Sequence, residues 1–210
     1  MTLPSIPANL PSEEEIRGLV ARVVDAVLEL DGDATPAPAD SVAAVPAVPR
    51  QGGVAASVVV AIGADHGGYP LKERLGFRLR EAGYEVVDCG TNSIDTVDYP
   101  DFAHAVARKV ADGEATWGIV VDGAGIGSAI VANKVPGVRA AACYDLSTAR
   151  NSREHNHANV LTLGAGLVGD GLAWQIVQEW LAVPWGGDRH ARRVGLIDEI
   201  ERRYLGTAEV

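Results

Sequence analysis

Five short runs rich in β-branched and small apolar residues recur through the second part of the chain, and each is followed by a helical pattern. They are SVVVAIGA from Ser57, YEVVDCG from Tyr84, WGIVVD from Trp117, GVRAAACY from Gly137 and ANVLTLGAG from Ala158. Such near-continuous apolar runs are buried on both faces, which requires helices on both sides of a parallel sheet. The segments between them supply those helices. Pro70 opens LKERLGFRLREAG, and Pro100 opens DFAHAVARKVADG. SAIVANK, DLSTARNSREHN, GDGLAWQIVQEWLA and a charged RHARRVGLIDEIERRYL complete the set. The pattern predicts an α/β chain, a three-layer αβα sandwich with a five-stranded parallel sheet over residues 54–210. Right-handed crossovers bring the C-terminal ends of all strands to one edge, where such sheets bind ligands.

Residues 1–53 follow different rules. Ser12–Leu30 carries Ile16, Leu19, Val20, Val23, Val27 and Leu30 at three- and four-residue steps, one stripe of an amphipathic helix. Ser12 and Glu15 form a capping-box pattern at its start. Residues 31–53 are rich in Pro, Ala and Gly without periodicity and read as a flexible linker. The chain thus divides into an extension with its helix (1–30), a linker (31–53) and a domain (54–210). A short tethered helix cannot bury its own stripe, so it must dock on its own domain, self-associate or enter a partner's groove.

Charge and composition narrow the classes of partner. The 210 residues have a formal net charge of −10, which argues against nucleic acid and anionic membrane as partners of the whole molecule. No apolar run reaches the roughly 20 residues of a membrane-spanning helix. Cys89 and Cys143 lie in apolar runs without CxxC spacing and read as reduced core thiols of a cytoplasmic protein.

Several strand ends and helix ends carry chemistry. The third strand runs into Asp122-Gly123-Ala124-Gly125-Ile126-Gly127, whose alternating glycines let backbone N–H groups converge on an anion; the same pattern also suits a tight strand-to-helix turn. Asp65 and His66 end the first strand beside two glycines. His155 and Asn156 precede the last strand, and histidine is the usual proton shuttle near neutral pH. Arg189 and Arg193 are four apart on one helical face, which suits a phosphate or simply a solvated basic face. His155 and His157 alternate without a third ligand at metal spacing, so no metal or other cofactor is expected.

Taken together, GADHGGYPLKERL, DYPDFA, GIGSAIVANKVPGVRAA, SREHNHANVLTLGA and GGDRHARRV run in order through Val58–Val194 and resemble the ribose-5-phosphate isomerase B and galactose-6-phosphate isomerase family. The resemblance implies a Rossmann-like fold and a metal-independent aldose–ketose isomerase of a sugar phosphate. It implies a homodimer or tetramer with active sites shared between subunits. Carried over by position, His155 would help open the sugar ring with Asn156 beside it. Arg189 and Arg193 would hold the phosphate together with His66, and Asp65 and Tyr99 would contact sugar hydroxyls. The turn of Gly123, Ala124, Gly125 and Gly127 would be the anion hole for an enediolate. The extension has no counterpart in that family. It resembles the encapsulation peptides that direct enzymes into bacterial microcompartments, which implies a shell protein as partner of residues 12–30 and a cytoplasmic or microcompartment-lumen location.

Four positions depart from the family pattern. Asp122 stands where many members carry a cysteine base, and Ser128 where others carry a glutamate base. Ala124 replaces a hydroxyl residue, and Gly166 replaces an arginine after the last strand. Asp122 is the obvious substitute base. Two readings follow: an isomerase using Asp122, on a five-carbon or on a four- or six-carbon sugar phosphate, and a sugar-phosphate-binding protein with weak catalysis.

Overall fold

The computed structural model describes Ser12, Glu14, Gly18 and Arg22, and then residues 58–205. The chain divides into two compact units, Met1–Gly53 and Val54–Val210. In the first, Glu14, Gly18 and Arg22 are helical. The remainder of the expected amphipathic helix, its apolar stripe included, and the linker lie outside the described residues.

The second unit alternates strands and helices throughout. Its order is β1 (Val59–Ala64), α1 (Tyr69–Glu81), β2 (Glu85–Asp88), α2 (Tyr99–Ala111), β3 (Trp117–Asp122), α3 (Ile126–Ala132), β4 (Ala140–Ala142), α4 (Leu146–Glu154), β5 (Val160–Gly164), α5 (Asp170–Ala182) and α6 (Asp188–Leu205). The five strands form one parallel sheet in the order β2-β1-β3-β5-β4. This is the Rossmann-like α/β sandwich.

Strand periodicity assigns the two cores. Val60, Ile62, Ile119, Val121, Leu161 and Leu163 face one side, where Leu71, Leu75 and Leu79 of α1, Ala149 of α4 and Ile176, Val177 and Trp180 of α5 cover them. Ala61, Val120 and Val160 face the other, against Ala103, Val106 and Ala107 of α2 and Ala132 of α3. Both proline-opened helices start one residue before their proline, since an N1 or N2 position needs no backbone donor. Cys143 is buried just beyond β4 and Cys89 is half-buried just beyond β2; both are free thiols. Burial pushes both thiols above their ordinary range. Among the described residues, no helix is long and apolar enough to cross a membrane.

The strand order reverses direction at β1 and β3. The connections leaving these two neighbours go to opposite sides, which opens a crevice at their C-terminal ends. Asp65 and His66 follow β1 there, and Asp122 ends β3.

Candidate active site

The crevice edge is built by three loops. After β1, Asp65 turns back so that its Oδ1 accepts the Gly68 amide at 2.8 Å. The His66 Nδ1 lies 3.2 Å from the Val97 carbonyl and 3.3 Å from the Val97 amide, which fixes the ring against the loop before α2. Tyr99 opens α2 and packs its ring on Gly127, so closely that a Cβ at Gly127 would lie 2.7 Å from ring carbons. A side chain at position 127 would have to displace that ring.

The turn after β3 closes on its own aspartate. Asp122 is 5% exposed. Its Oδ1 accepts the Ala124 amide at 2.8 Å and the Gly125 amide. Its Oδ2 accepts the Ser128 amide at 3.0 Å and the Ser128 hydroxyl at 2.5 Å. The carboxylate thus sits at the start of α3, where unpaired amides and the helix dipole favour a negative charge. Gly125 makes this possible with φ 79, a left-handed conformation that an L side chain resists. Of the amides expected in the anion hole, those of Ala124 and Gly125 are engaged by the Asp122 carboxylate. Those of Gly123, Ile126 and Gly127 are not used by Asp122. Gly166, where the family pattern has arginine, donates its amide to the Gly123 carbonyl at 3.0 Å, so the missing side chain would have stood beside this turn.

The other expected residues gather elsewhere. α4 runs back from the end of β4 to the start of β5, and His155 caps its C-terminus. There the His155 Nδ1 lies 2.9 Å from the Asn151 Nδ2, and Asn156 bonds back to Asn151. The chain from α5 returns to the same end, where the Gly186 amide donates to the Glu154 carbonyl at 3.0 Å. This brings the first turns of α6 alongside. The His190 ring stacks on His155 with centroids 4.2 Å apart, and Arg189 Nε donates to His190 Nε2 at 3.2 Å. Burial, then the neighbouring His155, Arg189 and Arg193, push the His190 imidazole below its ordinary range. Arg189 and Arg193 are both exposed. A cavity of about 320 Å³ adjoins His155, lined by Ser147, Arg150, Asn151, Glu154 and Glu179 among others.

Arg153 holds the turn that carries His155. It is 4% exposed, its guanidinium lies 3.9 Å from the Trp117 ring centroid and 5.0 Å from that of Trp180, and its Nη1 donates to the Ala158 carbonyl at 2.6 Å. Burial, with Arg139 nearby, lowers its pKa to about 10. Neither Arg153 nor His190 was singled out from the sequence; the adjacency of each to a chosen residue, in SREHN and GGDRH, was the available signal.

One chain does not unite these two groups. Asp65, His66, Tyr99 and Asp122 stand where β1 and β3 end, whereas His155, Asn156 and Arg189 stand where β5 begins. Gly164 is paired with Asp122 in the sheet, and Val160 with Gly118. The five residues of β5 separate the groups by roughly 17 Å of sheet height.

Comparison with known proteins identifies the architecture. The family model for ribose/galactose isomerases matches residues 60–197. The ribose-5-phosphate isomerase B of Escherichia coli K12 is 45% identical over 144 residues, covering 69% of this chain and 97% of that protein. A Clostridium thermocellum ribose-5-phosphate isomerase B structure is 53% identical, with a TM-score of 0.69 over 70% of this chain and 99% of that one. A Mycoplasma genitalium ribose-5-phosphate isomerase B structure with bound ribulose 5-phosphate is 39% identical, with a TM-score of 0.67 over 69% and 96%. In fold and in sequence from β1 into α6, this chain belongs to the ribose/galactose isomerase family.

Proposed function

We propose that this chain is a metal-independent aldose–ketose isomerase that interconverts ribose 5-phosphate and ribulose 5-phosphate through an enediolate, with Asp122 as the base. His155 assists ring opening: the C1–ring oxygen bond breaks, the ring oxygen gains a proton, and the O1 hydroxyl loses one as the aldehyde forms. Asp122 then takes the proton from C2. The C2–H electron pair becomes the C1–C2 double bond, and the carbonyl pair moves to O1. Return of that proton to C1, with transfer of the O2 proton to O1, gives the ketose. The observation that carries this reading is a carboxylate at the C-terminal end of the central strand, beside the Gly123, Ile126 and Gly127 amides that it leaves unused. Such preorganised donors stabilise an oxyanion at little reorganisation cost. Phosphate binding by Arg189 and Arg193 fixes the distant end of the sugar.

The separation of the two residue groups supports a site completed between two copies of the chain, as a homodimer. Asp65, His66, Tyr99 and Asp122 of one copy would meet His155, Asn156, Arg189 and Arg193 of the other.

Turnover of four-, five- and six-carbon sugar phosphates by wild type and Asp122→Asn tests the reading. The five-carbon substrate should turn over best, with kcat of Asp122→Asn reduced about 100-fold or more. Unchanged turnover in Asp122→Asn removes Asp122 as base. Binding without turnover on every substrate favours a sugar-phosphate-binding protein. Residues 12–30 are read as an encapsulation peptide that makes the domain microcompartment cargo. Deletion of residues 1–53 should abolish co-localisation with a shell, and unchanged co-localisation would discard that part.

A further inference from the structure

Ser128 lies in the first turn of α3 and is fully buried. Its amide and its hydroxyl both donate to Asp122 Oδ2, while Oδ1 accepts the amides of Ala124 and Gly125. A carboxylate has about four lone-pair sites, and all four are engaged. A proton arriving from carbon therefore needs one donor to leave. The three amides belong to the backbone of the turn. That backbone is itself fixed, since the Gly125 carbonyl accepts the Thr162 hydroxyl at 2.6 Å. The Ser128 hydroxyl, by contrast, turns away by rotation about one side-chain bond.

We propose that Ser128 is a positioning residue for Asp122: its hydroxyl holds Oδ2 in the resting site and is the donor that lets go when the carboxylate accepts the C2 proton. The inference rests on Asp122 as the base. The hydroxyl orients Oδ2 and occupies a lone pair that an incoming proton would need. Its rotation frees that lone pair while three amides keep the carboxylate in place. The C2 proton ends on Oδ2, and the electron pair stays with the enediolate as described. The titratable groups around the carboxylate are few. Asp65 at the end of β1 has its Oδ1 turned to the Gly68 amide, and the Tyr99 phenol at the start of α2 packs on Gly127 of the same turn. His66 beside Asp65 is turned to Val97. The end of β5 (Gly164, Ala165, Gly166) and all of α3 carry none.

The test is the pH profile of kcat for ribose 5-phosphate in the full chain. In Ser128→Ala, the acid limb should move up by about one pH unit, the worth of one hydrogen bond to a charged group. KM should stay within about twofold, since Ser128 is buried behind the turn. Ser128→Cys keeps the volume but donates weakly, so its limb should move in the same direction. A Ser128→Ala limb that coincides with wild type overturns the proposal, as does a Ser128→Cys limb restored to wild type, which would assign the effect to packing. Asp122→Asn separates the two levels. If it is inactive while Ser128→Ala is unshifted, only Ser128 loses its role; if it retains wild-type turnover, the base assignment falls and takes this inference with it.

Discussion

The imidazole of His155 lies flat on that of His190, 4.2 Å between centroids and 6° between planes. Two stacked imidazolium ions at that distance would repel, so the contact favours one neutral ring. His190 is the one held down, by burial first and then by His155 and the arginines of its own helix. The stack also holds the ring of His155, the proposed ring-opening residue, in one plane.

Acid should loosen this corner first. His157 is also pushed below its ordinary range, by burial, then Arg139 and Arg153. A histidine whose folded-state pKa is depressed takes up more protons unfolded than folded, so the unfolded chain gains protons as pH falls. The stability these two rings contribute is complete above about pH 6.5 and is lost as pH drops below it. The urea midpoint should therefore fall between pH 7.5 and 5.5. His190→Asn should flatten that dependence, and an unaltered slope would show that the stack carries no linkage.

The packing of Tyr99 on Gly127 gives a second expectation. A Cβ at Gly127 would stand 2.7 Å from the Tyr99 ring, so Gly127→Ala must displace it. Because Tyr99 is 39% exposed its ring can yield, so the penalty should stay near the low end of overpacking, about 1 kcal/mol. In a Tyr99→Ala background the clash is absent, and the same substitution should cost less than about 0.5 kcal/mol. A double-mutant cycle by urea unfolding reads the coupling. Equal penalties in both backgrounds would mean that the helix turn, not the ring, demands glycine.

Much of this architecture was legible in the sequence, and the exceptions have physical reasons. The strands of the sheet centre announced themselves because they are apolar on both faces, as in WGIVVD. The edge strand β4 is only Ala140–Ala142 within the longer run GVRAAACY, because only one neighbour pairs with it. α3 begins at Ile126, inside what reads as a glycine turn, because Gly125 in a left-handed conformation serves as its cap. Asp65, His66 and Asp122 were legible as strand ends. The capture of Asp122 by four donors was not, since DGAGIG spells an open turn and a self-capped one alike. The pairing of His155 with His190 depends on how the chain returns from α5, which no local pattern encodes.

Arg153 offers a case where stability and activity should part. Among the described residues, no carboxylate lies within ion-pair distance of its buried guanidinium, and its Nε has no acceptor. Burying a cation in this way is costly, so an apolar residue of similar length should be tolerated in stability. Arg153→Met should change unfolding free energy by no more than about 2 kcal/mol. It also removes the donor to the Ala158 carbonyl that shapes the His155 turn. kcat should then fall about tenfold while the fold persists. Wild-type kcat in a folded Arg153→Met protein would show that the turn needs no clamp.

The distribution of residues over two sheet edges gives the sharpest expectation. Asp122 and His155 are too far apart in one chain to act on one sugar, so each proposed site takes one of them from each copy. Asp122→Asn and His155→Asn should be separately inactive. Unfolded together and refolded as a mixture, they form hybrid dimers. In a hybrid, one site receives both altered residues and the other receives both intact ones. Random pairing makes about half of the dimers hybrids with one working site in two, so activity should return to about a quarter of wild type. If each site were built from a single chain, every site in the hybrid would carry one altered residue and no activity would return. Mixing the folded proteins without exchange of subunits is the control, and it should remain inactive.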